Sequence, residues 1–177
     1  MDPRLRGDDT REIKNGKVLL MNSKTLSSEA LFVIDQFLHF KVGNAVASIP
    51  YFNNKTAGAK FGIRAFVGKG STRDIRDELD IFMVKHHVAK DTISDSALKK
   101  ILTDSNLGID CSGFAYYILD AESKKLGHGS LNKHLTFLKI KGPIAKMWSY
   151  LRPIENCDVA TFASDIAQGF FEITQNG

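Results

Sequence analysis

The run from Gly108 to Asp120, with Asp110-Cys111-Ser112-Gly113-Phe114 at its heart, holds the residues best suited to chemistry. Asp110 has the short acceptor side chain favoured at a helix N-cap, and apolar residues at 111, 114, 115 and 118 follow at helical spacing. Cys111 is therefore expected in the first turn of a helix. The unpaired amides and positive dipole end found there stabilise an anionic sulfur, the form of cysteine that attacks a carbonyl carbon. Asp110 opposes this, because a carboxylate beside the sulfur disfavours a second negative charge. A nucleophilic Cys111 thus requires that carboxylate to be turned onto backbone amides, with a basic partner nearby. The other reading of the same residues is a buried structural cysteine, since free cysteine is among the most buried residue types.

Asp110-Cys111-Ser112-Gly113-Phe114, leading into aromatic and aliphatic helix residues, resembles the nucleophile motif of the NlpC-type (p-sixty) cell-wall peptidases, which are papain-like cysteine peptidases. The resemblance is good over 108–120 and weak over about 45–165. It implies an α+β, papain-like scaffold in which Cys111 attacks a peptide bond in the stem peptides of peptidoglycan. It also implies a histidine base on a later strand, and a third polar residue orienting the ring. A second foothold is Pro50-Tyr51, similar to the Pro-Tyr that the family carries ahead of its nucleophile. On this resemblance Tyr51, Asp110 and Ser112 belong to the substrate-binding surface. The spacing departs from the family pattern, since Asp110 stands 59 positions after Tyr51, so a segment of about 55–107 reads as an insertion.

The histidine base does not follow the family pattern either. It is expected fifty or more residues after the cysteine, behind a Gly-Asp turn, yet no histidine follows His134. His128 and His134 stand on connecting segments. The sequence is accordingly expected to be a C-terminally shortened papain-like domain, inactive as it stands, with a helical N-terminal half and an incomplete sheet half.

Positioning such a site takes a core, and 177 residues at 43% hydrophobic content suffice for a single domain over 25–177. Residues 1–24 mix charges with Pro3 and Gly7 and read as a disordered tail. There is no apolar run of about 18 residues, so no membrane span is expected, and no secretory signal is visible. This points to the cytoplasm, with the cell envelope reached only by another export route. Cys111 and Cys157 lack metal-type spacing and are too few for a disulfide framework, so neither a metal nor a cofactor is expected.

Ser27-Ser28-Glu29 opens a helix whose apolar stripe, including Leu31, Ile34, Phe37 and Leu38, is expected to reach about Val42. His39 reads as a partly exposed helix residue rather than a ligand. A short strand is expected over Phe61 to Val67, followed by a helix capped by Ser71 and Asp74, running to about Val84 and burying Ile75, Leu79, Phe82 and Met83. Gly68-Lys69-Gly70-Ser71 supplies only the tail of a phosphate-loop pattern, so nucleotide binding is not expected there. Ser94 or Asp95 caps a further helix to about Leu102.

From Lys124 to Arg152 there are seven Lys or Arg, two His and no acid, more imbalance than the net charge of +4 for the whole chain. Interleaved with Leu131, Leu135, Phe137, Leu138, Ile140 and Trp148, this stretch reads either as a solvated basic face or as a surface for an acidic polymer. Specific nucleic-acid recognition is not expected. Two functions from different classes follow: a cysteine peptidase or amidase acting on peptide substrates, and a non-catalytic protein on the same scaffold that holds an acidic polymer.

Overall fold

A computed structural model describes residues 25–52, 63–135, 147, 153–158 and 161–162. The expected tail, Phe61 of the expected strand, and Phe137, Leu138, Lys139, Ile140, Lys141, Lys146, Trp148 and Arg152 of the basic stretch lie outside them. The architecture is mixed α and β. Helix α1 spans Ser28–Leu38, strands β1 and β2 span Phe40–Val42 and Ala45–Ala47, and helices α2, α3 and α4 span Thr72–Lys85, Asp95–Asp104 and Cys111–Lys125. A short helix α5 covers Pro153–Asn156. No helix among the described residues is long and apolar enough to cross a membrane.

Helix α1 starts where its sequence calls for a start, with the Ser27 side chain accepting from the Ala30 amide. It ends at Leu38, four residues short of the expected Val42. There the apolar period changes from helical to alternating, and Gly43-Asn44 supplies the two-residue turn of an antiparallel hairpin. Phe40 pairs with Ala47 and Val42 with Ala45, all four buried. Of the residues expected on the buried face of α1, Phe37 is buried, whereas Leu31 and Leu38 are exposed.

The expected strand ending at Val67 is instead a single 3-10 turn over Arg64–Val67, closed when Gly68 takes a left-handed φ and the Lys69 amide returns to the Arg64 carbonyl. Helix α2 has the anticipated capping box between Ser71 and Asp74, and buries Ile75, Leu79 and Met83. Phe82, expected in the core, is half-buried and stacks on His86 with ring centroids 4.2 Å apart. Helix α3 is capped by Ser94.

Helices α2, α3 and α4 finish alike. His87, Asn106 and Gly127 take left-handed φ values of 54°, 56° and 80°, and the next amides, of Val88, Leu107 and His128, bond back to Met83, Leu102 and Ser123. This is the Schellman ending, which satisfies carbonyls that the helix leaves open.

One apolar cluster gathers α1, the hairpin, α2 and α3 around Phe37, Phe40, Ile75, Leu79, Leu98 and Leu102. A smaller one joins Tyr116 to Leu131, Leu135, Ile154 and Cys157. Helix α4 runs between them, and Tyr117 packs against both. Against α1 the contact is aromatic, with Phe37 edge-on to Phe114 at 5.3 Å.

Candidate active site at the N-terminus of helix α4

Three extended segments meet just ahead of α4. Ile109 bridges Tyr51 in parallel and Lys69 in antiparallel fashion. Its amide donates to the Pro50 carbonyl, its carbonyl accepts from Phe52, and the Asp110 amide donates to the Gly68 carbonyl. The approach is close enough that a β-carbon at Gly113 would lie 2.7 Å from the Gly68 oxygen, so a glycine at the third position of α4 is a packing requirement. Tyr51 thus lies next to the Asp110-Cys111-Ser112-Gly113 segment despite the sequence distance.

Asp110 is the N-cap, as its residue type suggests, and Cys111 is the first residue of α4. The Asp110 carboxylate is turned inward, with Oδ1 accepting from the Gly113 amide at 2.6 Å. Its basic partner is Lys69, whose Nζ lies 2.9 Å from Oδ2. Lys69 also donates to the Ser112 hydroxyl and, at 2.8 Å, to the Cys157 carbonyl. The Ser112 hydroxyl in turn donates to Asp110 Oδ1 at 3.1 Å. Lys69, Asp110 and Ser112 are all buried. All three protons of the ammonium therefore have acceptors, which is what makes a buried cation tolerable.

Cys111 itself is exposed, in contrast to the buried Cys157, and neither forms a disulfide. The structural reading of a buried cysteine therefore fits Cys157, not Cys111. Asp110 and Ser112 face inward toward Lys69, while Tyr51 is 70% exposed beside the site. Tyr117 closes the inner wall by donating from its hydroxyl to the Lys69 carbonyl at 2.9 Å. Burial raises the Tyr116 and Tyr117 phenols well above their ordinary value of 10, with Asp120 adding to the first shift and Asp74 to the second.

All five histidines lie among the described residues, and none is hydrogen-bonded to Cys111. His39 pairs with Asp35 at 2.7 Å on the exposed side of α1, and His134 Nε2 lies 3.0 Å from the His128 carbonyl. His86 and His87 form the turn after α2. Among the described residues no group of three His, Cys, Asp or Glu is placed to hold a metal ion.

Of the basic stretch, Lys124 pairs with Asp120 at 2.6 Å and Lys125 with Glu29 at 2.6 Å, so part of its charge is compensated by acids elsewhere in the fold. Sequence reasoning missed Lys69. The signal that could have found it is Gly68-Lys69-Gly70, where two small residues allow a backbone approach that buries the lysine between them. Comparison with protein-family models, with curated proteins and with solved structures gave no match.

Proposed function

We propose that this chain is a cysteine peptidase or amidase of the NlpC type, with Cys111 as nucleophile and peptidoglycan stem peptides as substrate. The observation that carries the reading is the placement of Cys111. It is exposed at the start of α4, and the carboxylate of Asp110 is withdrawn onto the Gly113 amide and Lys69. That arrangement leaves the dipole end of the helix to favour a negative sulfur and removes the nearest opposing charge. In the reaction the sulfur bonds to the amide carbonyl carbon, the amine leaves with a proton, and water then hydrolyses the thioester. Tyr51, exposed beside the start of α4, supports the reading as a candidate contact for an extended peptide.

No histidine is bonded to the sulfur among the described residues, so the chain is expected to acylate slowly. The test is hydrolysis of peptidoglycan fragments by the wild type and by Cys111→Ala, with mass spectrometry for an acyl adduct on Cys111. Hydrolysis or an adduct that disappears in the variant supports the reading. Absence of both overturns it.

The same lack of a bonded histidine favours a second reading, a non-catalytic protein on this scaffold that holds an acidic polymer. Lys133 is exposed and available for it, while Lys124 and Lys125 are already paired. Salt-dependent retention on an anionic polymer, lost when Lys133, Lys139, Lys141 and Lys146 are neutralised, would distinguish this reading from the first.

A further inference from the structure

The Lys69 ammonium touches both residues flanking Cys111 and, at the same time, the turn after α5. It bonds to Asp110 and Ser112 on either side of the cysteine, and to the carbonyl of Cys157. Helix α5 itself is tied to the segment just before Lys69, through Arg64 Nε to Glu155 Oε1 at 3.0 Å. We infer that Lys69 is the positioning residue of the α4 N-terminus: it offsets the Asp110 carboxylate, and so sets how readily the Cys111 sulfur carries negative charge. The inference rests on the proposed function only in taking Cys111 as a reactive thiol.

The argument is electrostatic. The Asp110 carboxylate accepts from the Gly113 amide and from Lys69 together, and it stands one residue from the sulfur. The carboxylate is buried while the sulfur is exposed, so its field reaches the sulfur partly screened by solvent; it still opposes thiolate formation, and an ammonium bonded to it offsets most of that field. Among the described residues, the following ionisable groups near the cluster are themselves compensated or neutral. Tyr116 and Tyr117 are held neutral by burial over the pH range of thiol chemistry, and Arg64 and Glu155 neutralise each other. Asp74 is engaged by the Ser71 amide in the α2 capping box.

The experiment measures the rate of Cys111 alkylation by iodoacetamide against pH, read by peptide mass spectrometry, in four full-length proteins. These are the wild type, Lys69→Met, Asp110→Asn and the double variant, with circular dichroism to establish that each is folded. Lys69→Met is expected to move the midpoint of the profile up by about one pH unit, a roughly tenfold lower thiolate fraction below it. Asp110→Asn, which keeps the cation and removes the anion, is expected to move it down by a similar amount. The double variant is expected to return to the wild-type midpoint. A purely structural lysine would leave Lys69→Met at the wild-type midpoint and the double variant at that of Asp110→Asn, and that result overturns the inference. Should Lys69→Met unfold, the contrast between Asp110→Asn and the double variant still decides. Alkylation requires no hydrolysis, so shifted midpoints in a protein that neither cleaves the fragments nor is acylated at Cys111 would sink the peptidase reading while leaving the role of Lys69 intact.

Discussion

Tyr51 and Ile109 form a parallel backbone bridge although 58 positions separate them in sequence. The bridge fixes the level at which α4 begins, because the Ile109 amide and carbonyl are both used by the Pro50 to Phe52 segment. It also leaves the Tyr51 ring 70% exposed, at the edge of the segment that leads into Cys111. The bond is made by backbone, so the ring is free for a different task.

Replacement of Tyr51 should therefore separate stability from function. Tyr51→Ala is expected to change the unfolding free energy by less than about 0.5 kcal/mol, as for other exposed side chains. If the ring lines a peptide cleft, the same variant weakens binding of stem-peptide fragments. Denaturant unfolding with calorimetric binding would show it, and a large stability loss would mean that the ring has a packing role instead.

Gly113 is expected to tolerate no side chain. Alanine normally favours a helix over glycine by about 1 kcal/mol, but a β-carbon here would lie 2.7 Å from the Gly68 carbonyl oxygen. The overlap is with backbone, which yields only by pushing α4 away from the 68–70 segment. Gly113→Ala should then destabilise by roughly 1–3 kcal/mol, the range for overpacking, and a neutral or stabilising result in urea unfolding would refute the close approach.

The three Schellman endings give a prediction of opposite sign. His87 adopts a left-handed φ of 54° that costs a residue with a β-carbon roughly 1–2 kcal/mol, and it is exposed in the turn after α2. His87→Gly is expected to raise stability by about 0.5–1 kcal/mol after the extra entropy of glycine in the unfolded chain is counted. Asn106→Gly, starting from a residue that accepts this conformation, should gain less. Paired melting curves of the two variants test the ordering.

The buried tyrosines predict an alkaline limit. The folded-state pKa values of Tyr116 and Tyr117 are raised above an ordinary value of 10, so the folded chain keeps its phenol protons where the unfolded chain releases them. Their contribution is fully present below about pH 10 and falls as pH rises above it, with a slope of up to about 1.4 kcal/mol per unit for each group. The Tyr116→Phe, Tyr117→Phe double variant should lose stability near neutral pH. It gives up the bonds to Asn132 and to the Lys69 carbonyl, yet its stability should fall less steeply above pH 10. Parallel curves for the two proteins would remove the burial argument.

Local signals were legible in the chain wherever one segment decides its own structure. The caps at Ser27, Ser71, Ser94 and Asp110 are side chains bonding to amides three residues on, and residue type and spacing place Ser71 and Asp110 outright while leaving Ser94 or Asp95 open at α3 and a Ser27-Ser28 start at α1. The hairpin at Gly43-Asn44 was hidden because Phe40 and Val42, which alternate into the core as β1, also stand close enough to the apolar stripe of α1 to read as its continuation. Lys69 was hidden for a different reason. Its partners stand 41, 43 and 88 positions away, and only the meeting of three segments turns a lysine between two glycines into a buried counterion.

The sharpest test of Cys111 is its reactivity relative to Cys157. Cys111 is exposed in the first turn of α4, where helix amides and dipole favour a negative sulfur, while Cys157 is only 2% exposed within the smaller apolar cluster. Alkylation requires both a thiolate and a path for the reagent, and Cys157 gains the path only when the 154–157 turn opens away from Tyr116 and Leu131. In native buffer near pH 7.5 iodoacetamide is therefore expected to modify Cys111 at least about tenfold faster than Cys157, and the difference should vanish in denaturant. Tryptic peptides report the two sites separately within one sample. Equal native rates would mean that the turn after α5 opens readily and that the Lys69 bond to the Cys157 carbonyl contributes little. Protection of Cys111 until the chain unfolds would show a covered sulfur, and with it the nucleophile reading would fall.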